Sequence, residues 1–108
     1  MSRLELVECG SCPPWPRNPG TAGLAERYIA CAERRGLPVQ PAARGGVSDA
    51  NHAAAVAPTL DGLGIVGGDF HSPHEWADLA TLDLRATIAA DLLGELCARG
   101  QRLTGKDA

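Results

Sequence analysis

Within the stretch from Arg44 to Glu75, glycine-rich turns leave room only for short elements. The stretch begins with the pair Gly45 and Gly46, passes through an apolar run, and ends in a glycine-rich turn that leads to His71. Glycine permits backbone conformations and close approaches that other residues resist. A histidine delivered by such a turn indicates a candidate site, so we ask which other residues could complete it.

Length and composition indicate one domain with a modest core. The chain has 108 residues, of which 44% are hydrophobic and only 4% aromatic, so its core must be aliphatic and rich in alanine. A net charge of -3 argues against nucleic acid or an anionic membrane as a partner. The first residues lack the apolar run of a signal peptide, and no segment reaches the roughly 18 apolar residues of a membrane span. We therefore expect a cytoplasmic protein.

Four cysteines in a chain of this kind are expected to be free thiols. Cys31 and Cys97 fall on helical patterns and are predicted to be small core residues. Cys9 and Cys12 form a CxxC pair, which could be a redox pair or half of a zinc site. No second CxxC follows, and the flanking PPWP is not a helix start, so two unrelated thiols in a turn remain the simpler interpretation.

The apolar pattern predicts alternating strands and helices, and therefore an α/β fold with helices packed on a sheet. The predicted strands are residues 3–7, 39–43 and 58–64, and the predicted helices are residues 19–35, 49–56 and 81–100. As a single domain, the chain divides into an N-terminal strand and proline-rich connector (1–18), an α/β segment (19–100) and a flexible tail (101–108).

Capping residues set the predicted helix ends. Asn18 precedes the first helix and Gly36 supplies its left-handed stop, Ser48 can cap the second helix, and Thr81 and Gly100 bound the last. The last helix has the strongest pattern, because its apolar residues recur every four positions. They are Leu84, Ile88, Leu92 and Leu96, supported by Ala89 and Leu93.

Four ordered motifs, PPWPRNPGTAGL, GGVSDANHAAA, PTLDGLG and GGDFHSPHEW, together resemble the C-terminal segment of the M20 family of metallopeptidases. The resemblance covers roughly residues 7–98 and is nearest to the carboxypeptidase G2-like glutamate carboxypeptidases and amidohydrolases. It implies a partial three-layer α/β arrangement, in which helices pack on a sheet that corresponds to the C-terminal part of a zinc-exopeptidase catalytic domain.

The resemblance also implies a set of site residues. Members of the family are usually homodimers with two metal ions, commonly zinc, and they cleave amide bonds next to a free carboxylate. The histidine of their HSPxE motif, which is His71 here, ligates one metal, and Glu75 would orient the loop by hydrogen bonds. Gly45, Gly46 and Ser48 would lie beside the substrate, where they could offer backbone groups to its carboxylate or form only a tight turn and cap. His52 and His74 are expected to be surface or packing residues.

The other ligands of that family, and its general base, lie upstream of the segment that this chain resembles. One imidazole should bind a metal weakly, because a catalytic zinc normally has three protein ligands. In addition, Cys12 stands where many relatives carry an arginine that binds the substrate's carboxylate. We therefore expect no peptidase activity from the chain alone, and a missing N-terminal half of the catalytic domain as its natural partner.

A second hypothesis is a non-catalytic interaction or assembly domain. Part of a sheet leaves strand edges unpaired, and such edges pair with other chains, so a homo-oligomer is expected on this hypothesis. A thiol module built on Cys9 and Cys12 is the weaker alternative.

Overall fold

Three helices and one small sheet make up the regular structure of the described residues. The structure is a computed structural model that describes the backbone of residues 2–107 and the side chains of residues 2–100. In chain order the elements are α1 (Pro19–Arg34), α2 (Ala50–Ala54), β1 (Val66–Gly68), β2 (Trp76–Asp78) and α3 (Ala80–Asp107). The chain is thus a mixture of helices and a two-stranded antiparallel sheet.

The first helix has the ends that its sequence predicts. The Asn18 side chain accepts a hydrogen bond from the Thr21 backbone N–H at 2.9 Å, which satisfies a donor that the helix itself leaves free. At the other end Gly36 has a φ of 80°, and the N–H of Leu37 donates to the carbonyl of Ala32 at 3.0 Å. Glycine at this left-handed position ends the helix without steric strain.

The core lies between α1 and α3. Its buried residues are Tyr28, Cys31, Ala32, Ile88 and Leu92. The predicted burial of Cys31 and of the Ile88–Leu92 face is therefore confirmed. Leu93 and Cys97 are exposed, so their predicted core roles are wrong. A helix advances by about 100° per residue, which puts Cys97 on the side of α3 opposite Ile88.

Ion pairs join the two helices at the rim of this core. Arg34 Nη2 lies 2.6 Å from a carboxylate oxygen of Glu95, and Arg35 Nε lies 2.8 Å from one of Asp91. The hydrogen bonds from Arg35 lower the pKa of Asp91. Burial, followed by the charge of Glu95, raises the pKa of the Cys31 thiol. Because the charged side chains are partly exposed, solvent screens each pair and limits what it adds to stability.

The predicted strands at residues 3–7, 39–43 and 58–64 are wrong. All three segments lack regular secondary structure, and the only sheet among the described residues pairs β1 with β2. A strand exists only through the ladder of hydrogen bonds with a neighbour. Apolar residues in sequence cannot supply that neighbour, and no described segment provides one.

Side chains rather than a ladder hold the segment 58–64. Arg85 on α3 donates to the carbonyls of Gly64 and Gly62, each at 2.6 Å. Its guanidinium also lies 5.8 Å from the centre of the Tyr28 ring. This arginine therefore fixes the loop to the helix pair.

The sequence IVGGD, residues 65–69, predicts a flexible turn, but Val66–Gly68 within it forms strand β1 of the two-stranded sheet. Its register aligns Val66 with Asp78, Gly67 with Ala77 and Gly68 with Trp76. A Cβ at Gly67 would lie 2.5 Å from the carbonyl oxygen of Trp76, and one at Gly68 would lie 2.8 Å from its indole nitrogen. These glycines thus allow close packing.

The ends of α2 and α3 also differ from expectation. The second helix is shorter than the predicted 49–56, and α3 begins at Ala80, so Thr81 lies inside it. The predicted stop at Gly100 is wrong, because this glycine does not adopt the left-handed conformation and the helix continues to Asp107. The side chains of the predicted tail, and all of Ala108, lie outside the described residues. No described helix is long and apolar enough to cross a membrane.

Candidate functional site

His71 lies in the loop of residues 69–75 that joins β1 to β2. Asp69 and His71 have φ values of 55° and 62°, in the left-handed region that residues with a Cβ rarely adopt. Each such residue costs roughly 1–2 kcal/mol and persists only where its surroundings enforce the conformation. Strain of this kind concentrates at functional sites, which makes this loop a candidate.

Ser72 holds the strained loop together. Its hydroxyl donates to the carbonyl of Asp69 at 2.7 Å and accepts from the N–H of His74 at 3.1 Å, and its carbonyl accepts from the N–H of Glu75 at 3.2 Å. Ser72 was not among the residues predicted from the sequence, although a serine before a proline is a known turn signal. The exposed carboxylate of Glu75 has no hydrogen-bond partner among the described residues, so its orienting role stays a prediction.

The donor atoms around His71 do not fit a zinc ion held by the described residues alone. His71 is exposed, as are His52 and His74. Within the described part of the chain, no group of three or more histidine, cysteine, aspartate or glutamate side chains could hold a metal. A catalytic zinc normally takes three protein ligands. We therefore assign no catalytic step through a metal to these residues.

The turn at Gly45, Gly46 and Ser48 lies directly before α2. A Cβ at either glycine would meet no atom within 4 Å, and neither glycine has a left-handed φ. Packing against the described residues therefore does not require glycine at either position. Their N–H groups make no hydrogen bond among the described residues either, and both glycines are exposed.

Ser48, in contrast, is fully engaged within the protein. Its hydroxyl donates to Asp61 Oδ2 at 2.6 Å and accepts from the N–H of Ala50 at 3.2 Å. Its own N–H donates to Asn51 Oδ1 at 3.1 Å. Of the three residues predicted to face the substrate, Ser48 is thus the one without a free donor.

These contacts belong to a network that joins distant segments. Asn51 is only 7% exposed, and its side-chain amide donates to the carbonyl of Pro13 at 3.1 Å. Asp61 also accepts from the N–H of Gly62 at 2.7 Å. The hydrogen bonds from Ser48 and Gly62 lower the pKa of Asp61. Asp61 was not among the residues predicted from the sequence, although an Asp-Gly pair is a turn signal.

The cysteine pair gains no support as a site. Cys9 and Cys12 are both exposed and free. The Cys9 sulfur makes only a 4.0 Å contact with the carbonyl of Val7. Neither thiol belongs to a group of metal-binding side chains within the described residues.

The sequence model of the family described as peptidase family M20/M25/M40 matches residues 3–95, which is most of the chain. The chain belongs to this peptidase family. The match includes both the His71 loop and the Gly45–Ser48 turn. Searches of curated proteins and of solved structures gave no significant match. Peptidases of this family are hydrolases that generally depend on metal ions, so both candidate features lie within a metallopeptidase sequence.

Proposed function

We propose that this chain forms one part of a metal-dependent peptidase or amidohydrolase site of the M20 type. In this proposal His71 is one metal ligand, and the remaining ligands and the general base come from polypeptide outside these 108 residues. The observation that carries the proposal is the strained, exposed loop, in which His71 has a φ of 62° and Ser72 braces the backbone on both sides. A loop that presents an imidazole at this conformational cost suits a ligand role better than a surface role.

The finer features of the proposal follow the family resemblance. The chain would be the C-terminal part of a three-layer catalytic domain of the carboxypeptidase G2-like branch, with zinc as the metal. If the other ligands are supplied, His71 would help to hold such a metal, which would polarise the scissile carbonyl and activate water. The free cysteines agree with a cytoplasmic location.

The substrate would be an acyl-amino acid or a glutamyl amide. Its carboxylate would accept hydrogen bonds from the free N–H groups of Gly45 and Gly46, which are exposed and without partners among the described residues. Because Cys12 replaces the arginine of many relatives, these backbone donors would carry more of the recognition than in those relatives.

The proposal predicts that the chain alone is inactive. Purified chain should be incubated with zinc or cobalt and a panel of acyl-amino acids and glutamyl amides, and release of the free amino acid measured. We expect no turnover from the wild type or from His71→Ala and His74→Ala, the latter being an exposed histidine in the same loop. Turnover that His71→Ala abolishes and His74→Ala preserves would overturn the proposed division of the site.

Carboxylate recognition can be tested without activity. Titration of ¹⁵N-labelled chain with N-acetylglutamate should shift the amide resonances of Gly45 and Gly46 and leave Gly23, a glycine inside α1, unchanged. The corresponding diamide, which lacks carboxylates, should shift none of them. Equal responses to the two compounds would contradict a carboxylate site.

A specific observation favours self-association as a second function. Residues 3–7 have no regular secondary structure and no ladder partner among the described residues, and Leu4 and Leu6 are 97% and 96% exposed. Unpaired backbone with alternating exposed leucines pairs readily with another strand, here a second copy of the chain. Light scattering should show a dimer, and Leu6→Lys should disrupt it. Leu82→Lys, a control on the exposed face of α3, should leave the dimer intact. A wild-type monomer at high concentration would exclude this function.

A further inference from the structure

We propose that Asp61 is a positioning residue for the Gly45–Ser48 turn. It fixes Ser48 so that this side chain cannot reach a ligand, and it leaves the backbone of Gly45 and Gly46 as the part of the turn that binds. The ligand-binding part of this inference rests on the proposed function, whereas the positioning part does not.

Both hydrogen-bond donors of Ser48 are occupied within the protein. A serine hydroxyl has one proton to donate, and here that proton lies between Ser48 Oγ and Asp61 Oδ2, 2.6 Å apart. This distance is typical of a strong hydrogen bond to a charged acceptor. The backbone N–H of Ser48 is bonded to Asn51. A ligand at the turn therefore meets no free donor of Ser48 while Asp61 is present.

Asp61 can act in this way because it is itself held in place. Its second oxygen accepts the N–H of Gly62 at 2.7 Å, and the carbonyl of Gly62 accepts from Arg85 on α3 at 2.6 Å. Gly62 has a φ of 73°, which lets the backbone turn at this point. A continuous series of hydrogen bonds thus runs from α3 through Asp61 to Ser48.

The opposite side of the turn is also fixed. Asn51 is buried, and it connects the N–H of Ser48 to the carbonyl of Pro13 in the connector before α1. A Cβ added at either glycine would meet no atom within 4 Å. Ser48 is therefore held by two local hydrogen bonds, with Asn51 and Ala50, and by one long-range hydrogen bond, with Asp61. Among these three bonds, the one to Asp61 involves a charged side chain.

Coupling between Asp61 and Ser48 distinguishes this role from general stabilisation. If Asp61 acts through Ser48, then Asp61→Ala, Ser48→Ala and the double variant should have similar effects rather than additive ones. Ser48→Thr keeps the hydroxyl and should resemble the wild type. Asp49→Ala removes a carboxylate from the adjacent position, where the side chain makes no capping bond, and serves as the matched control.

The experiment measures amide hydrogen exchange at Ala50 and the affinity for N-acetylglutamate, both by NMR. Loss of one hydrogen bond should accelerate exchange at Ala50 about three- to tenfold in Asp61→Ala, in Ser48→Ala and in the double variant alike. Ligand affinity should fall by a similar factor, and Asp49→Ala should change neither quantity beyond about twofold.

The outcomes separate the two parts of the inference. Additive effects of Asp61→Ala and Ser48→Ala, or unchanged exchange at Ala50 in Asp61→Ala, would overturn the positioning role. Absence of any N-acetylglutamate shift in the wild-type chain would instead overturn the proposed carboxylate site and the ligand-binding part of the inference, while the exchange data would still decide whether Asp61 positions the turn.

Discussion

Replacing Gly67 with alanine is expected to open the small sheet that closes the His71 loop. The new Cβ would lie 2.5 Å from the carbonyl oxygen of Trp76, whereas ordinary contacts begin at 3.4 Å. That oxygen belongs to the backbone of β2, so it cannot move aside as a flexible side chain would. The substitution therefore acts directly on the pairing of the two strands.

The size of the effect follows from these distances. To relieve the clash, the strands must separate by about 0.9 Å, which would stretch a ladder hydrogen bond of about 2.9 Å to nearly 3.8 Å, beyond hydrogen-bonding range. Retaining the ladder with the clash would cost about 1–3 kcal/mol, as overpacking does elsewhere. A sheet of two three-residue strands is only marginally stable, so we expect it to separate.

NMR provides the assay. In the wild type, cross-strand contacts should join Val66 to Asp78, and Gly67→Ala should remove them. Gly68→Ala should mainly displace the Trp76 indole and change its fluorescence, because the atoms it would meet belong to that side chain. The matched control is Gly64→Ala, where a Cβ meets nothing within 4 Å. Wild-type cross-strand contacts in Gly67→Ala would refute the reasoning.

Three further predictions concern stability. Ile88→Ala should lower the free energy of unfolding, measured by urea denaturation, by about 2–5 kcal/mol because Ile88 is fully buried. Leu93→Ala, at a position that is 61% exposed, should lower it by less than about 0.5 kcal/mol. Asn18→Ala should cost about 1 kcal/mol through loss of the α1 cap, visible as a lower melting temperature; an unchanged value would mean that the cap is redundant. The pKa values of Asp61 and Asp91 are lowered in the folded state. The two carboxylates should therefore contribute fully to stability at pH values above 3.8, the ordinary pKa of aspartate, and this contribution should be lost as the pH falls below that value. Asp61→Asn should weaken this acid dependence in melting curves, and an unchanged dependence would contradict it.

Interactions between residues close together in the sequence determined the ends of α1 and the buried face of α3. The ends of α1 follow from Asn18 and Gly36, which satisfy or release the backbone at the two termini regardless of the rest of the chain. The face of α3 that carries Ile88 and Leu92 follows from the period of the helix. The resemblance of the motifs to M20 peptidases indicated the family that the match over residues 3–95 then showed.

Only the tertiary structure decided which segments form strands and which side chains build the candidate site. A strand requires a partner, and the apolar segment 58–64 has none, whereas the carbonyls of Gly62 and Gly64 accept hydrogen bonds from Arg85. Likewise, nothing in the spacing of Ser48 and Asp61 reveals that their side chains meet at 2.6 Å. Helix ends and helix faces depend on neighbours in sequence, whereas strand pairing and hydrogen-bond networks depend on neighbours in space.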